Sequence, residues 1–215
     1  MSWTDVLNSA EWNRAGGVFL AAYVLGCLTA GYYLVRFLAD ADIRELGSGS
    51  VGARNVGRVL GKTGFFLTVL CDFSKGALAV WGARHFLGEE RLAAIAMAGV
   101  VVGHIWPVQL RFHGGKGMAT SLGALLVLDP HLAGVFVILM LPLLVVLRRV
   151  ALSAVVALGL VPLAGFFLDH SPARLLGISV AAIAVLIGHR KNVLDELIQP
   201  GASRPLEAEP DRSKL

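Results

Sequence analysis

The sequence predicts an all-α integral membrane protein with seven transmembrane helices. Hydrophobic residues make up 56% of the 215 positions and charged residues only 16%, whereas about 25% of a soluble domain is charged. The mean hydropathy is +0.70, and apolar runs recur at lengths near the roughly 20 residues that cross a bilayer as a helix. We expect residues 1–198 to form one membrane domain and the polar residues 199–215 to be a disordered tail.

Polar segments separate the apolar runs. A glycine-rich loop over 39–61 follows the first run, and the dipeptide Asp129-Pro130 divides two later runs. Proline removes a backbone donor and disfavours helix in the residue before it, so this dipeptide should end one helix and begin another. The predicted spans are 16–38, 64–81, 92–110, 118–128, 132–147, 150–168 and 173–188.

The span at 118–128 is short, about 16 Å at the helical rise of 1.5 Å per residue. Charge indicates whether it crosses, because cytoplasmic loops are enriched in Lys and Arg. Seven crossings, with the N-terminus outside and the C-terminus cytoplasmic, put fourteen basic residues inside and four outside. The inner residues are Arg36, Arg44, Arg54, Arg58, Lys62, Arg111, Lys116, Arg148, Arg149, Arg190, Lys191, Arg204, Arg212 and Lys214, and the outer ones are Arg14, Arg84, Arg91 and Arg174.

Three polar segments should therefore meet on the cytoplasmic side. The first is Gly114-Gly115-Lys116-Gly117, here called the cradle, where glycines allow consecutive N–H groups to point inward beside one lysine. This combination is typical of a phosphate or carboxylate site. The cradle is followed at once by the apolar run at 118–128, so we expect it to lie at the end of a membrane helix.

The second segment is the loop after the first span, where Ser48 and several glycines precede Arg54 and Arg58. Its GxGxxG pattern is not a dinucleotide site, because membrane spans rather than a βαβ unit flank it. Guanidinium groups suit phosphate, so the loop either binds an anion or only sets the topology. The third segment holds His189 and Asn192, which share a face if the last helix continues.

Other polar residues within the spans leave two interpretations open. Asp72 and Lys75 are three residues apart and can pair on one helix face. The pair either supports a cytoplasmic site or only joins helices, and His104 either belongs to the site or satisfies a helix end.

Several classes of function lack their motifs. No HExxH, CxxC or acidic cluster is present, so we expect no metal and no cofactor. No GxSxG nucleophile elbow occurs, and the HxxxxD pair of thioester-dependent glycerolipid acyltransferases is absent. The net charge of +4 is explained by topology, so we expect no nucleic-acid partner.

The motifs GSGSVGARNVGRVLGKTG, DFSKG, GHIWPVQLRFHGGKGMAT and GHRKN, in this order, resemble the bacterial acyl-phosphate:glycerol-3-phosphate acyltransferases of the PlsY type. The resemblance implies a multi-pass enzyme of the bacterial inner membrane, in contact with the lipid bilayer, whose site faces the cytoplasm. It implies transfer of a long-chain acyl group from acyl phosphate to glycerol 3-phosphate, giving lysophosphatidic acid and phosphate. Ser50 and Arg54 stand where that family usually has Asn and Thr.

The resemblance also implies the site residues. Catalytic roles fall to Lys116, His189 and Asn192, and substrate-binding roles to Ser48, Asn55, Arg58, Gly114, Gly115 and Gly117. No paired base and nucleophile is present, which favours direct transfer over an acyl-enzyme. The proton would pass to His189 or to the phosphate of the donor. The competing interpretations are a non-enzymatic anion binder or transporter, and a degenerate structural relative.

Overall fold

The computed structural model of the chain describes residues 9–168 and 170–198. Within these residues it contains α-helices and short 3₁₀ turns but no strand, which confirms the all-α prediction for this part of the chain. The predicted tail at 199–215 lies outside the described residues. The helices are α1 (Ser9–Cys27), α2 (Ala30–Ala39), α3 (Ala53–Leu87), α4 (Glu90–Ile105), α5 (Met118–Leu128), α6 (Pro130–Leu147), α7 (Val150–Phe167) and α8 (Pro172–Ile198).

Six helical segments of the described residues are long and apolar enough to cross a membrane. They are Glu11–Ala39, Ala53–Leu87, Glu90–Leu110, Pro130–Leu147, Val150–Phe167 and Pro172–Lys191. α6 has a mean hydropathy of 2.4 with only 11% of its residues buried. An apolar helix that is exposed in this way is suited to lipid rather than to water.

α4 is the central helix of the bundle, because 72% of its span is buried. Small residues let α1 approach it closely. A Cβ on Gly103 would lie 2.1 Å from the Tyr23 carbonyl oxygen, and one on Gly26 would lie 2.2 Å from the Val100 carbonyl oxygen. The two backbones are therefore in direct contact where α1 ends.

α5 is short, yet its two ends lie near the two opposite ends of α4. At its start, a Cβ on Gly117 would lie 2.8 Å from Ile105 and 3.2 Å from Val185. At its end, Asp129 is paired with Arg174, which itself contacts Glu90 at the start of α4. α5 thus runs from the level where α4 ends to the level where α4 begins, antiparallel to it.

The first predicted span is divided into α1 and α2 by a break at Leu28 and Thr29. The predicted span lies within the apolar segment Glu11–Ala39, and side chains from other helices bind the carbonyls at the break inside it. Lys75 donates to the carbonyl oxygens of Gly26 and Leu28, and Gln109 donates to that of Cys27. Carbonyls at a helix end need such partners.

The predicted loop over 39–61 is shorter than expected, because α3 begins at Ala53. α3 bends sharply at Gly61, which has φ 69° and ψ −164°, a conformation open essentially only to glycine. Across the bend, a Cβ on Gly57 would lie 3.0 Å from the Phe65 Cβ. In a continuous helix, residues eight apart are separated by about 12 Å. The first two turns of α3 therefore fold back against its membrane segment.

Candidate active site

The three predicted polar segments meet at one end of the bundle. A Cβ on Gly188 of α8 would lie 3.3 Å from the Lys116 carbonyl oxygen in the cradle. Arg44 Nη1 donates to the Leu110 carbonyl oxygen at 3.3 Å and so joins the first loop to the segment before the cradle. The cradle therefore contacts the end of α8, and the segment before it contacts the first loop.

The cradle glycines bind the end of α4. The N–H groups of Gly114 and Gly115 donate to the carbonyl oxygens of Ile105 and His104, each at 3.1 Å. The prediction that consecutive N–H groups of the cradle point at a ligand is therefore wrong for these two residues. Glycine is required for a different reason, because a Cβ on Gly115 would lie 2.1 Å from His104 Nε2.

The donors that remain at the cradle belong to the start of α5. Gly117 is the N-cap of α5 with φ 82°, and no side chain caps this helix end. The first backbone bond of α5 runs from the Ser121 N–H to the Gly117 carbonyl oxygen at 2.8 Å. The N–H groups before Ser121 therefore have no partner within the helix, and a helix N-terminus of this kind attracts anions. Lys116, which is half-buried, directly precedes this end.

Asn55 holds the first loop together from its interior. The residue is 1% exposed, and its Nδ2 donates to the carbonyl oxygens of Leu46 at 2.8 Å and Ser50 at 3.0 Å. Its Oδ1 accepts from the Ser48 N–H at 3.0 Å. These bonds close the loop around the amide and leave the Ser48 side chain on the exposed side.

The first loop is also held by an ion pair at its base. Arg44 Nη2 lies 2.6 Å from Asp42 Oδ2. Hydrogen bonding to this guanidinium holds the pKa of the Asp42 carboxyl below its ordinary value. Asp42 therefore stays ionised, and its pairing keeps Arg44 in the position from which it also reaches Leu110.

Exposed cations lie on the bent start of α3. Arg54, Arg58 and Lys62 line a groove of about 600 Å³ together with Phe65 and Phe66. Arg58 also leans toward the first loop, since its Cδ would lie 3.8 Å from a Cβ on Gly47. The structure thus adds Arg54 to the predicted site residues. Its spacing of four residues from Arg58 places the two on one helix face and was the signal that could have identified it.

His189 is 6% exposed, and its Nδ1 lies 2.9 Å from the Val185 carbonyl oxygen. Because a carbonyl only accepts, Nδ1 carries the hydrogen and Nε2 keeps a lone pair in the neutral ring. α8 continues to Ile198, so Asn192 follows His189 by one helical turn as predicted. The Asn192 side chain lies outside the described residues.

The described residues contain no group of three or more His, Cys, Asp or Glu that could hold a metal ion. The arrangement instead offers two guanidinium groups, one ammonium group, a helix N-terminus and a buried imidazole. Such a set can bind two phosphate groups and accept a proton.

Comparisons with known proteins agree with this chemistry. The family model described as "Glycerol-3-phosphate acyltransferase" matches residues 17–198. A protein of Desulfitobacterium hafniense (strain Y51) named glycerol-3-phosphate acyltransferase 1 is 43% identical over 181 residues, covering 84% of this chain and 89% of its own. A glycerol-3-phosphate acyltransferase of Gloeobacter violaceus is 39% identical over 195 residues, covering 88% and 94%.

Two solved structures have the same fold. The crystal structure of PlsY (YgiH), an integral membrane glycerol 3-phosphate acyltransferase, in its glycerol 3-phosphate form has a TM-score of 0.76 and 31% identity. That match covers 86% of this chain and 92% of PlsY. The lysophosphatidic acid form has a TM-score of 0.74 and 29% identity over the same shares. The chain belongs to the glycerol-3-phosphate acyltransferase family of the PlsY type and is an integral membrane acyltransferase.

Proposed function

We propose that this acyltransferase moves a long-chain acyl group from an acyl phosphate to glycerol 3-phosphate, releasing lysophosphatidic acid (1-acylglycerol 3-phosphate) and inorganic phosphate. The observation that carries the proposal is that α8, which bears the buried His189, lies against the cradle, where a Cβ on Gly188 would be 3.3 Å from the Lys116 carbonyl oxygen. The related PlsY was crystallised in glycerol 3-phosphate and lysophosphatidic acid forms, which are the acceptor and product of this reaction.

Both substrates carry phosphate, so two anions must be held close together. Arg58 and Arg54 offer planar guanidinium groups for one phosphate. Lys116 and the uncapped start of α5 offer an ammonium charge and backbone donors for the other. Ser48, on the exposed side of its loop, adds a hydroxyl. No metal or cofactor is needed to neutralise the substrates.

The transfer is a single displacement at the acyl carbon. The acceptor hydroxyl oxygen bonds to this carbon, the bond from the carbon to the phosphate oxygen breaks, and phosphate leaves with the electron pair. An acyl phosphate is a mixed anhydride with a good leaving group, so positioning supplies much of the rate, up to roughly 7–11 kcal/mol in favourable cases. A donor at the developing oxyanion adds about 2.7–4 kcal/mol.

The hydroxyl proton has two acceptors consistent with the geometry. One is His189 Nε2, whose lone pair is kept by the bond from Nδ1 to the Val185 carbonyl oxygen. The other is a phosphate oxygen of the acyl phosphate. On that route His189 would only orient glycerol 3-phosphate. We assign Asn192, one turn later on α8, to the binding of glycerol 3-phosphate. A pH–rate profile of His189→Gln separates the two routes. A general base must be unprotonated, so loss of the fall in rate at acidic pH would indicate the first route.

The buried residues of the loops act on the site through others. We assign Asn55 a positioning role, since its amide is bound by the loop that carries Ser48. Gly114 and Gly115 seat the cradle on α4, and Gly117 allows the positive φ from which α5 starts. These glycines bring Lys116 to the substrate.

We further propose seven crossings, with the N-terminus outside and the site on the cytoplasmic face of a bacterial inner membrane. The contacts of α5 with both ends of α4 and α8 support the seventh crossing, and the distribution of basic residues supports the orientation. Inverted membrane vesicles should consume added glycerol 3-phosphate, whereas sealed right-side-out vesicles should not. Equal activity in both would contradict this orientation.

Assay of the purified protein with two donors tests the reaction. We expect lysophosphatidic acid from glycerol 3-phosphate and palmitoyl phosphate, and none from palmitoyl-CoA, because the chain lacks the HxxxxD pair. A folded protein that forms no product with the acyl phosphate, or forms it from the thioester alone, would overturn the proposal.

A further inference from the structure

A buried ionic cluster lies beneath the cradle. Asp72 and Lys75, one turn apart on α3, are 3% and 6% exposed, and Lys75 Nζ lies 2.9 Å from Asp72 Oδ1. His104, at the end of α4, places Nδ1 2.8 Å from the same Nζ. Because the ammonium group only donates, Nδ1 accepts. Charges at this depth of a membrane protein are expensive and mark functional regions more often than not.

Lys75 connects the elements that carry the two substrate-binding segments. Its three N–H groups donate to His104 Nδ1 and to the carbonyl oxygens of Gly26 at 3.1 Å and Leu28 at 2.8 Å, while Asp72 is its ion-pair partner. These carbonyls end α1, and α2 leads from there to the Ser48 loop. Lys75 thus fixes α1, α3 and α4 relative to one another at one point.

His104 carries this connection to the cradle. Its ring lies so close to Gly115 that a Cβ there would meet Nε2 at 2.1 Å and Cε1 at 2.7 Å. Its carbonyl oxygen accepts from the Gly115 N–H at 3.1 Å. Lys116 is the next residue, so movement of the ring displaces the backbone that bears the substrate-binding ammonium group.

Joining helices does not by itself require ions here. Apolar side chains of similar volume often replace a buried ion pair without loss of stability, and α1 and α4 already pack backbone to backbone. What an apolar contact lacks is direction, since a hydrogen bond from Nζ to Nδ1 fixes the angle of the imidazole ring.

We propose that Asp72, Lys75 and His104 are positioning residues that set the place of Lys116 for binding the phosphate of glycerol 3-phosphate. This rests on the proposed function. We assign Lys116 to this phosphate, whose charge does not change during transfer, so displacement of Lys116 should raise the KM for glycerol 3-phosphate and leave kcat nearly unchanged. Loss of one hydrogen bond to a charged group corresponds to a rise in KM of roughly tenfold or more.

The test compares His104→Leu with His104→Asn. Leucine has a similar volume but no acceptor for Lys75, whereas asparagine retains an acceptor near the position of Nδ1. We expect His104→Leu to raise the KM for glycerol 3-phosphate about tenfold or more, with kcat little changed and the midpoint of thermal unfolding measured alongside. His104→Asn keeps the acceptor for Lys75 but lacks the ring atoms against Gly115, so its KM should lie between those of the unmodified protein and His104→Leu.

An unchanged KM in His104→Leu, or a KM in His104→Asn as high as in His104→Leu, would overturn the proposal. If His104→Leu does not accumulate, the double variant Asp72→Asn with Lys75→Met removes both charges together and should show the same rise in KM. Calorimetric binding of glycerol 3-phosphate needs no turnover. Weaker binding in these variants therefore supports positioning even where acyl transfer itself is not detected, which keeps this test separate from that of the reaction.

Discussion

Two buried ionic clusters lie at different levels of the helix bundle, and each contacts a different part of it. At the end away from the cradle, Asp129 has a 1% exposed side chain and places Oδ2 2.9 Å from Arg174 and 2.7 Å from His170. Its Oδ1 accepts from the N–H groups of His131 and Leu132 at the start of α6. The cluster of Asp72, Lys75 and His104 instead touches the cradle through Gly115.

This difference indicates that the Asp129 cluster serves stability, whereas the Asp72 cluster also serves substrate binding. Asp129 caps α6 and, through Arg174, reaches Glu90 at the start of α4, so it joins helix ends that hold no predicted site residue. The Asp72 cluster joins helices too, but its imidazole supports the backbone of Lys116. We therefore expect that disrupting the Asp129 cluster lowers the stability of the protein. Disrupting the Asp72 cluster should instead raise the KM for glycerol 3-phosphate.

The largest effect is expected where the reaction occurs. His189→Ala should lower kcat by about 10²–10⁴-fold, the range typical of a positioned acid or base, with no change in thermal stability. His131→Ala is the matched control, because that side chain is 90% exposed at the Asp129 end, and it should retain full activity. Near-normal turnover in His189→Ala would remove this residue from the mechanism.

A smaller effect is expected at the cradle. Lys116→Met should raise the KM for glycerol 3-phosphate roughly 10–100-fold, because a hydrogen bond to a charged group contributes about 1.5–3 kcal/mol. Lys62→Met also removes one cation, but this residue of the groove is assigned no role in substrate binding, and its loss should change KM much less. Unchanged steady-state kinetics in Lys116→Met would mean that the cradle does not bind substrate phosphate.

The smallest effect on kinetics is expected at Asp129. Asp129→Asn keeps an oxygen for the start of α6 but removes the charge opposite Arg174. Loss of that charged hydrogen bond should destabilise the protein by about 1.5–3 kcal/mol, seen as a lower midpoint of thermal unfolding. KM and kcat below that midpoint should match the unmodified protein. A raised KM without loss of stability would contradict the division between the two clusters.

Sequence reasoning succeeded where the signal is local. The Asp129-Pro130 dipeptide ends α5 and starts α6 as predicted, and Gly188 lies against Lys116, as the predicted meeting of the polar segments requires. Apolar length and proline chemistry determine the first result, and charge distribution indicated the second.

The features that the sequence did not predict come from contacts between residues far apart in sequence and, in one case, from a single backbone conformation. The break between α1 and α2 depends on Lys75, 47 residues after Leu28. The bend of α3 depends on one glycine conformation that composition does not reveal. The N–H groups of Gly114 and Gly115 bind α4 carbonyls, although the same glycine pattern in isolation is typical of an open anion site. Periodicity and motif spacing contain none of these partners.

The central claim is that the chain couples release of phosphate from an acyl phosphate to acylation of glycerol 3-phosphate. It is tested most directly by measuring both products in one sample of purified protein. We predict one lysophosphatidic acid for each phosphate released, with both products lost together in His189→Ala. Phosphate release that continues without lysophosphatidic acid, or that does not depend on glycerol 3-phosphate, would contradict direct transfer.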